Sequence, residues 1–369
     1  MSAPPATGAL APHTAPPTPP VLRERVGVEV ELLAPRGSSR AELAAELARR
    51  TGGTARAVFH ADAEPSLVPG MGNFLHLTRG FAVHRADGTE LCTLVDDITI
   101  REGLDRTAGP RPGWFRVLSD DARLLRLVEN LADPAAGPDT VLDPVAAAFG
   151  VAVQRIGPVR RLDDSGGATV ALVAPLPGER ERPCEVVTPP LVRDHLAALE
   201  ELLAPARELG FTVPVEAAVH LHLDGAPFRD GAAFRNLVRL FGRWRGPLRR
   251  VLGTNPACRR LRPLPADLLA LVEDPGLRRG GWPALRAAAA GTGLTKFFDV
   301  NLTALLTDTP RRDTVEVRVL PGSLHGAEVV QRAAVVEGLL RRCRAPEPLP
   351  APPAAPAAAD AALVALAGG

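Results

Sequence analysis

The most regular alternation of apolar and polar residues lies at residues 25–33, where it predicts a β-strand. Valine or leucine occupies every second position and would form the buried face. Glu29 and Glu31 lie on the opposite face, roughly 7 Å apart. Two carboxylates at that distance repel each other unless water or a cation lies between them. A divalent metal site and a solvated outer sheet face would both explain this pattern.

The same alternation recurs in three later segments, at residues 184–188, 219–224 and 315–319. Their polar positions carry Glu185, then His220, His222 and Asp224, then Glu316 and Arg318. A solvated sheet face usually mixes Thr, Lys, Ser and Gln instead. Carboxylates with one or two imidazoles suit Mg²⁺ or Mn²⁺, and an arginine beside them suits a phosphate. The recurrence therefore favours a metal and phosphate site.

Helices and strands alternate along the rest of the chain. Helical periodicity predicts helices at residues 40–50, with Ser38 or Ser39 as N-cap, and at 122–131, 192–209, 231–252 and 322–340. Pro205 is expected to kink or interrupt the third of these. Turn residues predict hairpins at 87–88 and 164–167, and residues 294–302 and 314–320 predict adjacent strands. We therefore expect an α+β fold around a mainly antiparallel sheet.

Composition separates one globular region from two expected tails. Residues 1–22 and 344–369 are rich in proline and alanine and are expected to be disordered. Residues 23–343 form the expected single domain, since 46% of the chain is hydrophobic, as in globular proteins.

The net charge and the cysteine spacing argue against several classes of protein. A net charge of +1 gives no general attraction to nucleic acid or anionic membranes. The four cysteines are scattered without C-x-x-C spacing, which argues against a zinc knuckle or a disulfide framework. No apolar run is long enough to span a membrane, and the N-terminal residues make a poor signal peptide. We expect a cytoplasmic protein that binds neither nucleic acid nor membrane.

Four motifs occur in a fixed order: G-V-E-V-E at 27–31, C-E-V-V-T-P-P-L at 184–191, H-L-H-L at 220–223 and T-V-E-V-R-V-L-P-G-S-L at 314–324. Together they resemble the amidoligase family, a branch of the carboxylate-amine ligases that share the glutamine synthetase and glutamate-cysteine ligase fold. The resemblance spans residues 25–340. It implies a curved antiparallel sheet backed by helices, with ATP and two divalent cations on the concave face.

The resemblance also implies roles for individual residues. The metal ligands would be Glu29, Glu31, Glu185, His220 and Glu316. Arg318 matches the arginine that handles the transferred phosphoryl group, and Glu185 is predicted to be catalytic together with it. Lys296, the only lysine in the chain, would support the nucleotide phosphates, and Asn301 or His222 would orient a bound ligand. The alternatives are a surface lysine for Lys296 and a structural imidazole for His222.

Two positions depart from the family pattern. Ala218 lies two residues before His220, where relatives often have a glycine that lets the backbone approach the nucleotide. The family's aspartate after a tryptophan-containing strand has two candidates here, Asp96-Asp97 and Asp120-Asp121. These aspartates therefore rank below the glutamates as candidate ligands.

The implied activity is an ATP- and Mg²⁺-dependent (or Mn²⁺-dependent) carboxylate-amine ligase that forms an amide through an acyl phosphate. Its partners would be small-molecule or peptide carboxylates and amines. One alternative is a zinc hydrolase that uses His220, His222 and a glutamate, although no helical H-E-x-x-H run is present. Another is a polyanion-binding protein that uses the arginines of helix 231–252 around Trp244.

Overall fold

A computed structural model describes residues 20–65, 73–258, 261–278, 280–308, 310 and 312–368. Twelve strands form one sheet: β1 Val26–Leu33, β2 Thr54–Pro65, β3 Asn73–His84, β4 Glu90–Val95, β5 Phe115–Ser119, β6 Gln154–Ile156, β7 Val159–Asp163, β8 Thr169–Pro175, β9 Pro183–Val187, β10 Ala218–Asp224, β11 Val300–Asn301 and β12 Thr314–Pro321. Their order is β11-β12-β10-β1-β9-β4-β3-β5-β8-β7-β6, and β2 pairs with β3 off this path.

Eleven helices accompany the sheet in the described residues: α1 Arg40–Arg50, α2 Ala122–Leu131, α3 Asp143–Phe149, α4 His195–Glu208, α5 Gly231–Arg243, α6 Arg245–Leu252, α7 Ala266–Glu273, α8 Gly281–Ala290, α9 Thr303–Leu306, α10 Gly326–Cys343 and α11 Pro356–Gly368. All named strand pairs are antiparallel. The α+β class with a large antiparallel sheet backed by helices is thereby confirmed. Its sheet is open, since β11 and β6 end the strand order.

Two apolar clusters form the core. The larger one joins the apolar face of β1 and its neighbours to α1, α4, α5 and α10. The smaller one joins β3, β5, β7 and β8 to α2 and α3. In β1, Val26, Val28, Val30 and Leu32 are all buried in the larger cluster, as the alternation predicts. Burial of this face fixes which side chains of β1 point away from the helices.

Local signals in the sequence account for several elements. Ser39 caps α1, because its side chain accepts a hydrogen bond from the Ala41 amide. The Asp87-Gly88 turn connects β3 to β4, and the turn around Asp164 connects β7 to β8, as predicted. Arg40 at the start of α1 is fully buried and donates hydrogen bonds to backbone carbonyls, among them those of Arg79 and Arg180.

Three elements differ from the sequence prediction. The helix predicted at 231–252 is two helices, α5 and α6, that meet at Trp244. Pro247 explains the break, because it lacks the amide hydrogen that would bond to the carbonyl of Arg243. The strand predicted at 294–302 is the two-residue β11. The helix predicted at 192–209 is α4, which starts at His195 and continues through Pro205.

The C-terminal segment is packed against the domain, which corrects the expectation of a disordered tail at 344–369. Leu349 and Leu363 are buried in the larger core cluster, and the Trp244 indole donates a 2.8 Å hydrogen bond to the Pro350 carbonyl. The alanine content of the segment resembles that of a linker. Alanine is also the strongest helix former, however, and it accounts for much of α11. Most of the tail expected at 1–22 lies outside the described residues.

No helix in the described part of the chain combines the length and apolar character needed to cross a membrane.

Candidate active site

β1 supplies the centre of the site because both of its neighbours carry polar residues in matching register. Glu29 lies opposite His220 of β10, and Glu31 lies opposite Glu185 of β9. On the far side of β10, His222 lies opposite Glu316 of β12. Directly opposed side chains in antiparallel strands are about 5 Å apart. This pairing therefore brings the polar residues of β1, β9, β10 and β12 close together.

The polar side chains face a cavity of about 1240 Å³. It is bounded by β1, β9, β10 and β12, by part of β2, and by segments around residues 294–313. All nine site residues predicted from the sequence line it: Glu29, Glu31, Glu185, His220, His222, Lys296, Asn301, Glu316 and Arg318. The structure therefore brings together residues that are up to 289 positions apart in the chain.

His220 lies at the centre of four carboxylates. Its Nδ1 atom is 3.2 Å from Glu29 Oε2, 3.7 Å from Glu316 Oε1 and 3.8 Å from Glu185 Oε1. Its Nε2 atom is 3.3 Å from Glu31 Oε1. The second oxygen of Glu31 accepts a 2.7 Å hydrogen bond from the amide of Ala218, so the backbone at this non-glycine position contacts a carboxylate of the cluster.

A second group of contacts surrounds His222 and Glu316. His222 Nε2 lies 3.1 Å from Glu29 Oε1, and its Nδ1 lies 3.0 Å from the Thr314 hydroxyl. Asn301 donates a 2.8 Å hydrogen bond to Glu316 Oε2, and Arg318 donates to Glu316 Oε1. Asn301 therefore orients a carboxylate of the cluster in this structure.

The cluster contains two sets of donor atoms close enough to hold a metal ion. One set is Glu29, Glu185 and His220, and the other is Glu29, His222 and Glu316. Each set has its ligand atoms within 4.8 Å of one another and consists of two carboxylates and one imidazole. Such oxygen-rich sets suit Mg²⁺ or Mn²⁺ better than zinc, which favours sulfur and nitrogen ligands in closed sites.

The four glutamates form two pairs whose pKa values shift in opposite directions. Burial raises the pKa of Glu31 well above its usual 4.5, and the Asp97 carboxylate raises it further. Burial also raises the pKa of Glu185, with added repulsion from Glu29, Asp97 and Glu31. A cation among these carboxylates would favour their ionised forms and so oppose both increases in pKa.

Glu29 and Glu316 shift in the opposite direction. Burial alone would raise the pKa of Glu29, but hydrogen bonds from His220 and His222 outweigh it and lower the value well below 4.5. Burial is likewise outweighed at Glu316, whose pKa is lowered chiefly by Arg318 and then by the two histidines.

Arg318 and Lys296 supply positive charge to the cavity from different positions. The Arg318 side chain is only 12% exposed, and its Nε has no hydrogen-bond partner within the described residues. Lys296 is 46% exposed, and its Nζ lies 3.2 Å from Asp62 Oδ1 on β2. Lys296 therefore lies on the cavity wall, at a distance from the carboxylate cluster that Arg318 contacts directly.

The structure separates the two aspartate pairs. Asp96 and Asp97 line the cavity. Asp96 pairs with Arg180 at 2.6 Å, and Asp97 accepts hydrogen bonds from Thr99. Asp121 instead caps α2 by accepting from the Arg123 amide. Only the first pair is placed to influence the glutamates.

Arg312 was not predicted as a site residue from the sequence, but its Nη1 donates a 2.8 Å hydrogen bond to Glu29 Oε1. The residue precedes β12 and belongs to none of the four motifs. Its proximity to the strand that carries Glu316 is the one signal in the sequence that could have indicated it.

The arginines of α5 and α6 form internal contacts, which leaves little support for a polyanion-binding face. Arg239 and Arg243 pair with Glu273, and Arg245 and Arg249 pair with the buried Asp299. Of the other two, Arg235 donates a hydrogen bond to the Val272 carbonyl, and Arg250 pairs with Asp360. Trp244 is 1% exposed and belongs to the core.

Comparison with known protein families gives the class to which this fold and site belong. The family described as "Putative amidoligase enzyme" matches residues 22–339, which is most of the chain. The chain therefore belongs to this amidoligase family, as its four motifs predict. No curated protein and no solved structure matches the chain.

Proposed function

We propose that this protein is an ATP-dependent carboxylate-amine ligase that forms an amide bond through an acyl-phosphate intermediate. Membership of the amidoligase family supports a ligase-type function. The observation that carries the proposal is the convergence of Glu29, Glu185, His220, Glu316 and Arg318 on one large cavity. We further propose that the open antiparallel sheet is a curved catalytic fold of the glutamine synthetase type.

The carboxylate cluster fits Mg²⁺ or Mn²⁺. The residues that would hold these ions are Glu29, Glu185, His220, His222 and Glu316, which form the two donor sets, and Glu31 lies beside His220. The raised pKa values of Glu31 and Glu185 support this assignment, because buried carboxylates without a cation resist ionisation. Bound divalent cations would neutralise charge on the ATP phosphates as the terminal phosphoryl group moves.

The chain's own residues would perform the remaining tasks. In the first step a substrate carboxylate oxygen attacks the terminal phosphorus of ATP, and ADP leaves. Arg318 is permanently charged and would stabilise the transferred phosphoryl group through two donors at once. Lys296 would contact the nucleotide phosphates after exchanging its pairing with Asp62.

In the second step an amine attacks the acyl carbon, and phosphate leaves with the electron pair of the broken C–O bond. The amine must lose a proton to become an amide. Glu185 is our candidate acceptor, because its carboxylate lies in the cavity beside His220. His222 and Asn301 would orient the reacting groups from the cavity wall.

An ADP-release screen tests this proposal. The purified protein is incubated with Mg²⁺, ATP and paired pools of carboxylic acids and amines. We expect ADP formation that requires one member of each pool. Glu29→Gln and Glu316→Gln should lower it by at least about a hundredfold. Glu46→Gln on α1, whose carboxylate pairs with Arg49 and Arg50, should not change it. Full turnover in both cavity variants, or ADP release that needs neither an acid nor an amine, would contradict the proposal.

A further inference from the structure

The two carboxylate oxygens of Glu29 face different partners. Oε2 lies 3.2 Å from His220, and Oε1 lies 3.1 Å from His222. Glu29 thus belongs to both candidate donor sets. We call the set with Glu185 and His220 the Glu185 position, and the set with His222 and Glu316 the Glu316 position.

The two positions differ in the protein cations that already contact them. At the Glu316 position, Arg312 Nη1 donates to Glu29 Oε1 at 2.8 Å, and Arg318 donates to Glu316. No arginine or lysine in the described parts of the chain forms an ion pair with Glu185, which has His220 beside it. At the Glu316 position, therefore, arginine side chains supply part of the positive charge that a metal ion would bring to these carboxylates.

Arg312 and Arg318 differ in how firmly they are held. The Arg318 side chain is 12% exposed, whereas that of Arg312 is 59% exposed. An exposed side chain keeps most of its rotamer freedom and its ion pair is weak, so Arg312 can leave Glu29 at little cost. A guanidinium and a divalent cation repel each other and cannot share the oxygen Oε1.

We propose that Arg312 occupies the place of a divalent cation at the Glu316 position and gives up Glu29 when the cation binds. Arg312 thereby weakens cation binding at this position, and has a smaller effect at the Glu185 position, which Glu29 faces with its other oxygen. Once displaced, the guanidinium remains in the cavity wall, where it is free to pair with an anionic group of a substrate. The inference rests on the cation-binding part of the proposed function.

Titration of the metal-free protein with Mn²⁺, without nucleotide, tests this inference by calorimetry and by the electron paramagnetic resonance signal of free Mn²⁺. We expect two binding steps in the unsubstituted protein. Arg312→Ala should tighten one step on the order of fivefold and the other by less. Arg312→Lys should have a smaller effect, because lysine keeps the charge but not the forked donor.

Two control variants separate the contact from indirect effects. Arg229→Ala removes the side chain that pairs with Asp313, the residue next to Arg312, and so loosens the same segment while Arg312 is kept. Arg25→Ala removes an exposed charge of the cavity lining that forms no ion pair with Glu29 in the described residues. Both should bind Mn²⁺ like the unsubstituted protein.

The outcomes distinguish this inference from the proposed function. Two unchanged steps in Arg312→Ala would overturn the role of Arg312 and leave the proposed cation sites standing. Equal tightening in Arg312→Ala and Arg25→Ala would do the same. Weaker binding in Arg312→Ala would also overturn it. Absence of Mn²⁺ binding in the unsubstituted protein would overturn the cation sites of the proposed function, and this inference with them.

Discussion

Glu31 and Glu185 lie opposite each other on adjacent strands, and both are surrounded by further acidic groups. Their raised pKa values mean that the folded, metal-free protein holds protons that the unfolded chain releases. Folding stability therefore falls as the pH rises from the usual glutamate value of 4.5 through the raised values. Glu29 and Glu316 do not oppose this trend, because their lowered pKa values make their contribution complete above 4.5.

We accordingly expect the melting temperature of the metal-free protein to decrease as the pH rises above about 6.5, since below that value the lowered pKa of the buried His60 opposes the trend. Mn²⁺ should reverse the decrease, because it binds the ionised carboxylates and favours their deprotonation. The measurement is a series of thermal melts with and without the metal. Glu185→Gln serves as the comparison and should flatten the slope. A metal-free protein whose melting temperature rises over this range would contradict the assignment.

The alternation of apolar and polar residues predicted which strand side chains line the cavity. Alternation placed Glu29, Glu31, His220 and Glu316 away from the core, because one face of a strand must be buried for the sheet to pack. It could not give the register between strands, which depends on hydrogen bonding between segments far apart in sequence. Arg312 escaped prediction for a related reason: its contact with Glu29 depends on where a loop passes in space.

At the scale of elements, composition misled where a segment's packing partner is distant. The residues after 344 are rich in alanine and proline, and this composition is shared by linkers and by surface helices. In this chain the segment forms a surface helix instead of a linker, because α11 packs against α10 and α6. The break between α5 and α6 was predictable from Pro247 and was missed because the apolar periodicity continues on both sides of it.

The packing of α11 on α10 depends on Gly338. A Cβ atom at this position would lie 2.0 Å from the backbone oxygen of Ala367. Gly338→Ala should therefore lower the free energy of unfolding by about 2 kcal/mol, even though alanine is intrinsically better in a helix by about 1 kcal/mol. Denaturant titration measures the stability, and hydrogen exchange should show faster exchange of amides in α11.

Gly246→Ala provides the matched helical control. A Cβ atom there would lie 3.4 Å from the end of the Arg250 side chain, which can move aside. Its effect on the free energy of unfolding should stay within about 0.5 kcal/mol. Equal stability of the two variants would show that the helices do not approach each other at Gly338 as described.

At the scale of the whole molecule, the cavity is lined both by strands that pack in the larger apolar cluster and by a helix that packs in the smaller one. β1, β10 and β12 belong to the larger cluster and carry the carboxylates and imidazoles. Glu129 of α2 comes from the helix that packs in the smaller cluster, and Asp62 of β2 meets Lys296 across the cavity. A site of about 1240 Å³ has room for a nucleotide and a second substrate together.

This arrangement explains why the family's motifs were informative although each is weak alone. Every motif contributes one strand to the same wall of the cavity, so their order in the chain reflects one sheet topology. The amidoligase family was therefore predictable from sequence. The identity of the substrates was not, because the loops that line the rest of the cavity belong to none of the four motifs.

Titration with ATP in the presence and absence of Mn²⁺ tests the central claim most directly, because it requires no knowledge of the acid or the amine. We predict saturable ATP binding that depends on Mn²⁺, is lost in Glu29→Gln and Glu316→Gln, and is kept in Glu46→Gln. Tightly retained zinc together with a melting temperature that ATP does not change would contradict the claim and favour a hydrolase.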